Sequence, residues 1–448
     1  MAEQRRSRGM IINAFLMEAG HHEGAWRLPE SNPRAQWDPD HWIDLARTAE
    51  AAGVHSLFLA DVLAVQGSGL YRPVGGYDPV ILMTLLAGAT SRIGLISTIS
   101  VTYNDPYGLA RRLATLDHLS GGRAGWNIVT SVTDEEAANF GLSGQLDYGT
   151  RYARAQEFLE VCTRLWDSWP AEAIVADKAA GRYTRPGLIK PIEHEGTYFR
   201  VAGPMNVPQP PQGHPLLVQA GSSAAGIDFA VRWADLVFTA QQRYERAHAF
   251  YTDVKRRAAE SGRDPGTVKV LPGVVPIIGR TMQEAQAKAE RLDDHIVVEY
   301  AVEHLEFWLG RSLAGLDLDG PFPGNWFEEP PMGMVSRSEL ILDMARKENL
   351  TIRQVLRRLG GGRGHTVVVG TPETIADHLE NWFRNEAADG FNVMPPRLPA
   401  DLEEFVELVL PILADRGLFD PRPAGDTLRE RMGLPGPDTH AGRRISQH

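Results

Sequence analysis

The stretch Leu216-Leu217-Val218-Gln219-Ala220-Gly221-Ser222-Ser223-Ala224-Ala225-Gly226 decides the fold. A short apolar run ends in a polar Gln219 and meets a Gly-Ser-Ser turn. A helical spacing then begins at Ile227, Ala230, Val231, Trp233 and Ala234. This reads as strand, tight turn, helix. Gly221 supplies turn angles that other residues avoid, and Ser222 or Ser223 stands where an N-cap belongs. The first amides of such a helix lack partners and carry the positive end of its dipole, which suits a phosphate. An ordinary capped helix with no ligand has the same pattern, so the rest of the chain must decide.

Outward from this stretch the same unit recurs. Apolar strands are expected over 10–17, 54–60, 93–99, 124–129, 216–220, 236–239, 268–278 and 390–394. Helices are expected between them, over 40–52, 79–90, 107–119, 152–166, 244–261, 282–292 and 372–387. Strands alternating with helices and without hairpins mean a parallel sheet. Eight units predict an α/β fold closed as a (β/α)8 TIM barrel with insertions. The first strand–helix junction lacks the spaced glycines of a dinucleotide fold.

Two segments break the rhythm. Residues 170–213 are punctuated by Pro and Gly, with a hairpin arm expected at 196–201. Residues 294–365 form the larger insertion, placed before the last strand. It is helical at both ends (the second helix expected over 338–359), with Phe322, Trp326 and Met332 in its middle. The cluster Gly360-Gly361-Gly362-Arg363-Gly364 reads as a flexible return. Residues 420–448 form a polar C-terminal tail, expected to be an ordered arm or a partner contact, and 1–448 is read as a single barrel domain with these additions.

The chain has 448 residues and a net charge of −11. No basic block interleaves with aromatics, so no nucleic-acid partner is expected. No apolar window reaches bilayer length and no signal-peptide pattern precedes the first strand, which gives the expectation of a cytoplasmic protein. The single cysteine, Cys162, excludes an internal disulfide.

The active site of such a barrel lies at the carboxyl ends of its strands. The residues placed there are His21, His22, Asp61, Thr98, Asn127, Thr130, Ser131, Gln219, Ser222, Ser223 and Thr239. They are rich in neutral hydrogen-bonders and poor in charge. A two-metal hydrolase needs several carboxylates and histidines together, and adjacent His21 and His22 point apart, so no metal site is expected. Asp61 and Glu23 could form a glycosidase pair only in isolation, and Gly-x-Ser-x-Gly is absent around Ser131. A ring of amides and hydroxyls with one carboxylate, plus a helix N-terminus, suits a neutral heterocycle with a phosphate tail. Flavin mononucleotide (FMN) has that shape. His21 is the strand-end group whose ordinary pKa lies near neutrality, and it is the candidate catalytic residue.

Several ordered stretches carry a resemblance. They are His21-x-x-Gly24-Ala25-Trp26-Arg27, Leu57-Phe58-Leu59-Ala60-Asp61, Thr98-Ile99-Ser100, Leu116-Asp117-x-Leu119-Ser120-Gly121-Gly122-Arg123, Trp126-Asn127-x-Val129-Thr130-Ser131, Asn139-Phe140-Gly141, Arg151-Tyr152 and Gln219-Ala220-Gly221-x-Ser223. With Ala388-Asp389-Gly390-Phe391 and Asp415-Arg416-Gly417 they span most of the chain. In them the sequence resembles the bacterial luciferase-like superfamily, and within it the nitrilotriacetate, dibenzothiophene-sulfone and pristinamycin-type monooxygenases.

The resemblance implies the oxygenase half of a two-component system, using reduced FMN from an NAD(P)H-dependent flavin reductase, and O2, on a small-molecule substrate. It implies a homodimer or homotetramer. Asp61 and Thr98 would meet the flavin near its ring and ribityl chain. Tyr152 and Ser223, with Gly221 and Ser222, would hold the phosphate. Tyr148 stands where relatives often carry His, and Asn127 and Ser131 lie beside the ring. His22, Trp308 and Trp326 are expected in the substrate pocket, and the aromatic content of the larger insertion suggests a lid over an apolar or aromatic substrate, while Arg311 and Arg337 in the same insertion keep a polycarboxylate open. Relatives acting on sulfones have a further histidine in that insertion, at the place expected here for Trp308. A deazaflavin-dependent oxidoreductase on the same barrel, or a non-catalytic flavin-binding protein, remains open at this point.

Overall fold

The computed structural model describes residues 9–65, 69–221, 223–329 and 335–436. The main-sheet strands are β1 (Ile11–Leu16), β2 (Ser56–Leu59), β3 (Gly94–Ser100), β4 (Ala124–Val129), β5 (Leu216–Ala220), β6 (Leu236–Thr239), β7 (Lys269–Ile278), β8 (Thr366–Gly370) and β9 (Gly390–Val393). Neighbours run β6-β5-β4-β3-β2-β1-β9-β7, and β7 pairs back onto β6, so eight strands close a barrel. Each of these pairings is parallel.

β8 was not legible as a strand. It lies outside the closed ring, paired on β7 from Val274↔Thr366 to Ile278↔Gly370. The early residues of β7 pair with β6 instead, from Leu236↔Lys269 to Thr239↔Pro272. One long strand thus serves the barrel with its first half and an outer partner with its second.

The insertions correct the sequence reading in detail. Residues 170–213 hold two short antiparallel ribbons, Ile174–Asp177 with Arg182–Thr184 and His194–Glu195 with Arg200–Val201. The helix expected over 338–359 is two helices, Val335–Glu348 and Ile352–Gly362. Thr351 caps the second, with Gln354 reaching back to its N–H. The glycines at 360–362 are not a flexible return but the last turn of that helix. A β-carbon on Gly360 would meet Ile296 at 2.6 Å, and one on Gly362 would meet Val367 at 2.7 Å. Only glycine lets this helix lie so close. The insertion has its own apolar core, built on Leu305, Trp308, Leu309, Phe322, Ile341 and Leu356.

The tail is an ordered arm as far as residue 436. Its helix Leu428–Arg431 sits beneath the barrel, where Leu428, Met432 and Leu434 join the interior cluster with Phe15, Phe58 and Ile96. Arg429, fully buried, donates to both oxygens of Asp235 at 2.6 and 3.0 Å. Cys162 is core, as its helical spacing predicts, and burial pushes its thiol pKa up. Among the described residues no helix is long and apolar enough to cross a membrane.

Candidate active site

The floor of the site is aromatic. Phe15, Phe58 and Phe238 stand near the carboxyl ends of β1, β2 and β6 and meet edge to face, with centroids 4.7 to 5.6 Å apart. Such pairs add to the burial energy of the rings. His21 packs edge-on to Phe15 at 4.7 Å, and His365 stacks flat on Phe238 at 5.1 Å.

His21 does not titrate near neutrality as its residue type suggests. Its Nε2 lies 2.9 Å from the carbonyl oxygen of Phe15. A carbonyl only accepts, so Nε2 carries the proton and Nδ1 is a bare acceptor. Nδ1 has no partner among the described residues. Burial, reinforced by the charge of Arg363, lowers the pKa to about 3. The ring is neutral and has no proton to give as an acid.

Around the floor runs a polar rim. Thr98 Oγ1 donates to the Leu59 carbonyl at 2.6 Å and accepts from Asn127 Nδ2 at 3.0 Å. β3 and β4 set this contact, because Thr98 and Asn127 are register partners. Asn127 Oδ1 and Gln219 Oε1 are buried with no partner among the described residues. Buried acceptors are normally satisfied, so both are vacant seats for a donor. Asp61, at the end of β2, is pushed up to a pKa of about 6, first by burial and then by Asp78 and Glu136.

Ser131 has a left-handed backbone, φ 42°. Its hydroxyl lies 2.9 Å from both Glu136 Oε1 and Ser100 Oγ. Arg151 Nη1 donates to its carbonyl at 2.6 Å. The side chain is thus spent on local bonds that shape the rim. Thr133 caps a short helix, Asp134–Asn139, that presents Glu136; the sequence reading took this segment for loop.

Opposite lies a hydroxyl corner. Tyr148 OH and Ser223 Oγ are 2.8 Å apart, and Ser223 Oγ accepts from the Gly226 amide at 3.2 Å. The rings of Tyr148 and Tyr152 are 5.0 Å apart. A β-carbon on Gly226 would lie 3.1 Å from Ser223 Oγ and 3.3 Å from Tyr152 OH, and one on Gly221 would lie 2.6 Å from Gln219 Nε2. The helix Ala224–Trp233 therefore opens onto three hydroxyls with no side chain in the way. Ser222 lies outside the described residues.

Of the three expected pocket residues, His22 lines a small pocket with Glu18, Glu23, Arg72 and Arg363, while Trp308 and Trp326 fall elsewhere. His22 Nδ1 accepts from the Gly24 amide at 3.1 Å, and Nε2 faces Asp293 at 3.2 Å, so this ring ties the β1 loop to the helix Met282–Asp293. Trp308 and Phe322 are buried in the insertion's own core. Trp326 packs on Phe322 and under the Arg311 guanidinium. These aromatics are consumed inside the insertion, so they no longer argue for an apolar substrate; Met332 lies outside the described residues.

What the insertion does bring to the site is charge, of which the sequence reading noted Arg337 but not its neighbours Arg72 and Arg363. Arg72 donates to Glu18 at 3.1 Å and to Tyr300 OH at 2.9 Å. Glu23 meets His304 Nδ1 at 3.0 Å. Arg363 and Arg337 are enclosed beside them. No local signal marks these residues, since they come from separate loops and helices.

The donors and acceptors fit the group expected from the sequence. The phenylalanine floor suits one face of a planar ring system. Asn127, Gln219, Thr98 and Asp61 offer polar atoms at its edge, and the hydroxyl corner with a helix N-terminus suits a phosphate.

The profile of the luciferase-like monooxygenase family matches residues 17–390. The chain is 45% identical to nitrilotriacetate monooxygenase component A of Aminobacter aminovorans, covering 96% of this chain and 97% of that protein. It is 42% identical to N-acetyl-S-(2-succino)cysteine monooxygenase of Bacillus subtilis, covering 95% and 97%. A riboflavin lyase solved with modified FMN and riboflavin superposes with a TM-score of 0.85 at 32% identity, over 98% of this chain and 100% of that one.

Proposed function

Because the chain belongs to the luciferase-like monooxygenase family, we propose that it is the oxygenase component of a two-component system, taking reduced FMN from an NAD(P)H-dependent flavin reductase and using O2 to oxygenate a small organic substrate. The observation that supports FMN best is the pairing of vacant buried acceptors at Asn127 and Gln219 with the hydroxyl corner of Tyr148, Tyr152 and Ser223. One end suits the ring and ribityl chain, the other the phosphate.

Each residue then has a physical task. Ser223, Tyr148 and Tyr152 donate to phosphate oxygens, helped by the helix amides. Thr98 and Asn127 fix the ribityl side, and Asn127 Oδ1 accepts from a hydroxyl or ring N–H there. Asp61 accepts at the ring edge when ionised. Reduced flavin, when bound, supplies the electrons that activate oxygen. The three phenylalanines and the insertion keep water from that reaction. His21 acts as a neutral acceptor through Nδ1, holding a substrate or ring proton in place rather than delivering one.

The test is anaerobic titration with reduced and oxidised FMN, followed by rapid mixing with oxygenated buffer. Tighter binding of the reduced form and an oxygen-dependent absorbance transient are expected. No preference for reduced FMN and no transient would sink this reading, and the deazaflavin coenzyme would be tried next.

A further inference from the structure

We propose that Arg363, with Arg337 beside it, is the seat for an anionic group of the substrate, which makes a carboxylate-bearing molecule the natural substrate class. This rests on the oxygenase reading above for what is done to the substrate, but not for its binding.

The argument starts from a count of charge. Three arginines, Arg72, Arg337 and Arg363, face two carboxylates, Glu18 and Glu23. The histidines among them add nothing: burial lowers the pKa of His21, His304 and His365 alike. Glu18 is taken by Arg72, and Glu23 by His304. One positive charge at least is left without a bonded counter-ion, in a place where burial is costly.

The geometry says which one. Arg363 ends the helix Ile352–Gly362 in a left-handed conformation, φ 46°. This turn sends the chain from the insertion back into β8, so the side chain belongs to both. Its carbonyl accepts from Arg337 Nη1. Its own guanidinium has five donors, yet among the described residues its one bond is Nη1 to the Met17 sulfur at 3.4 Å, and its Nε is buried with no partner there. It borders a small, half-open pocket also lined by Glu18, His22, Glu23, Trp26 and Arg72. A guanidinium satisfied by a thioether alone is waiting for an oxygen anion, and its flat fork matches a carboxylate in two parallel bonds.

The flavin phosphate is a poor candidate for that anion. The hydroxyl corner lies at the end of β5, and Met17 follows β1. Along the sheet β5 and β1 are four strands apart in a ring of eight, on opposite sides of the barrel. An uncharged apolar substrate would leave Arg363 as it stands, unpaired.

The experiment is isothermal titration of the flavin-free protein with nitrilotriacetate, succinate and methanesulfonate as anionic probes, and with the neutral triamide of nitrilotriacetate. Wild-type protein should bind at least one carboxylate and not the triamide. Arg363→Gln should weaken that binding tenfold or more and leave FMN affinity within twofold, while Arg363→Lys restores part of it. Thermal melts confirm that each variant folds. Three outcomes overturn the proposal: no anionic probe binds; the triamide binds as well as the acid; or R363Q lowers FMN affinity rather than probe affinity, which reassigns the arginine to the cofactor. Failure of reduced FMN to bind would strike the oxygenase reading instead and leave the anion seat standing.

Discussion

His21 Nε2 sits 2.9 Å from the Phe15 carbonyl oxygen, and this single contact sets the ring's tautomer. With its pKa lowered to about 3 by burial, His21 stays neutral from pH 9 down to pH 5. Isotope-labelled imidazole signals should report the Nε2–H tautomer throughout. Turnover should show no ionisation from this residue near neutrality, and an imidazolium signal at pH 6 would refute the assignment. The same shift bears on stability. A folded pKa depressed below the ordinary 6.5 means that the neutral ring's contribution is present above pH 6.5 and is lost as pH falls toward 3.

Asp61 shifts the other way, from 3.8 up to about 6. Its protonated form is the one the fold prefers, so full stability is present below pH 3.8 and is lost as pH rises through 6. Two pKa units correspond to at most about 3 kcal/mol, and partial exposure trims this to about 2 kcal/mol. Asp61→Asn should therefore raise the unfolding free energy by that amount at pH 8 and by almost nothing at pH 4. Reduced FMN should bind it more weakly. Urea denaturation at the two pH values, beside a flavin titration, checks both halves; equal gains at pH 8 and pH 4 would contradict the buried carboxylate.

Much of this was legible because strand ends announce themselves. The eight barrel strands are apolar runs closed by polar residues, and Thr98, Asn127 and Ser223 could be placed from that pattern, while Tyr148, at the start of a helix, came only from the family resemblance. β8 was hidden by Gly360–Gly362, since three glycines in a row look like a loop unless Ile296 and Val367 are known to press against them. Thr351 and Gln354 did spell a helix start, but inside a longer helical pattern the signal was passed over. Of the arginine cluster only Arg337 was noticed, as a cation of the insertion, and its grouping was beyond reach. Arg72, Arg337 and Arg363 lie far apart in the chain, and only the packing of the insertion on the β1 loop unites them. Trp308 misled for the same reason: an aromatic in an insertion reads as a pocket wall until the insertion proves to have a core of its own.

Ser223 has two duties that one substitution separates. Ser223→Ala removes the cap on the Gly226 amide and the partner of Tyr148. The cap alone is worth about 1 kcal/mol of stability. FMN should bind roughly tenfold more weakly, a loss of about 1.4 kcal/mol, while riboflavin, lacking the phosphate, should be unaffected. Equal losses for the two flavins would move the phosphate away from this corner.

Arg429 and Asp235 form a fully buried pair, with side chains wholly inaccessible. Arg429→Met should cost about 3 kcal/mol, because an ionised Asp235 is left with weaker support. Arg263 at 3.5 Å softens the loss. Guanidinium denaturation measures it, and a change under about 1 kcal/mol would show that the arm is not held by this pair.

The arm also decides how the barrel communicates with its surroundings. Leu428, Met432 and Leu434 cork the lower mouth with side chains that belong to the interior. With that mouth filled, the oxygenase reading would have flavin, dioxygen and substrate all arrive from the carboxyl ends of the strands.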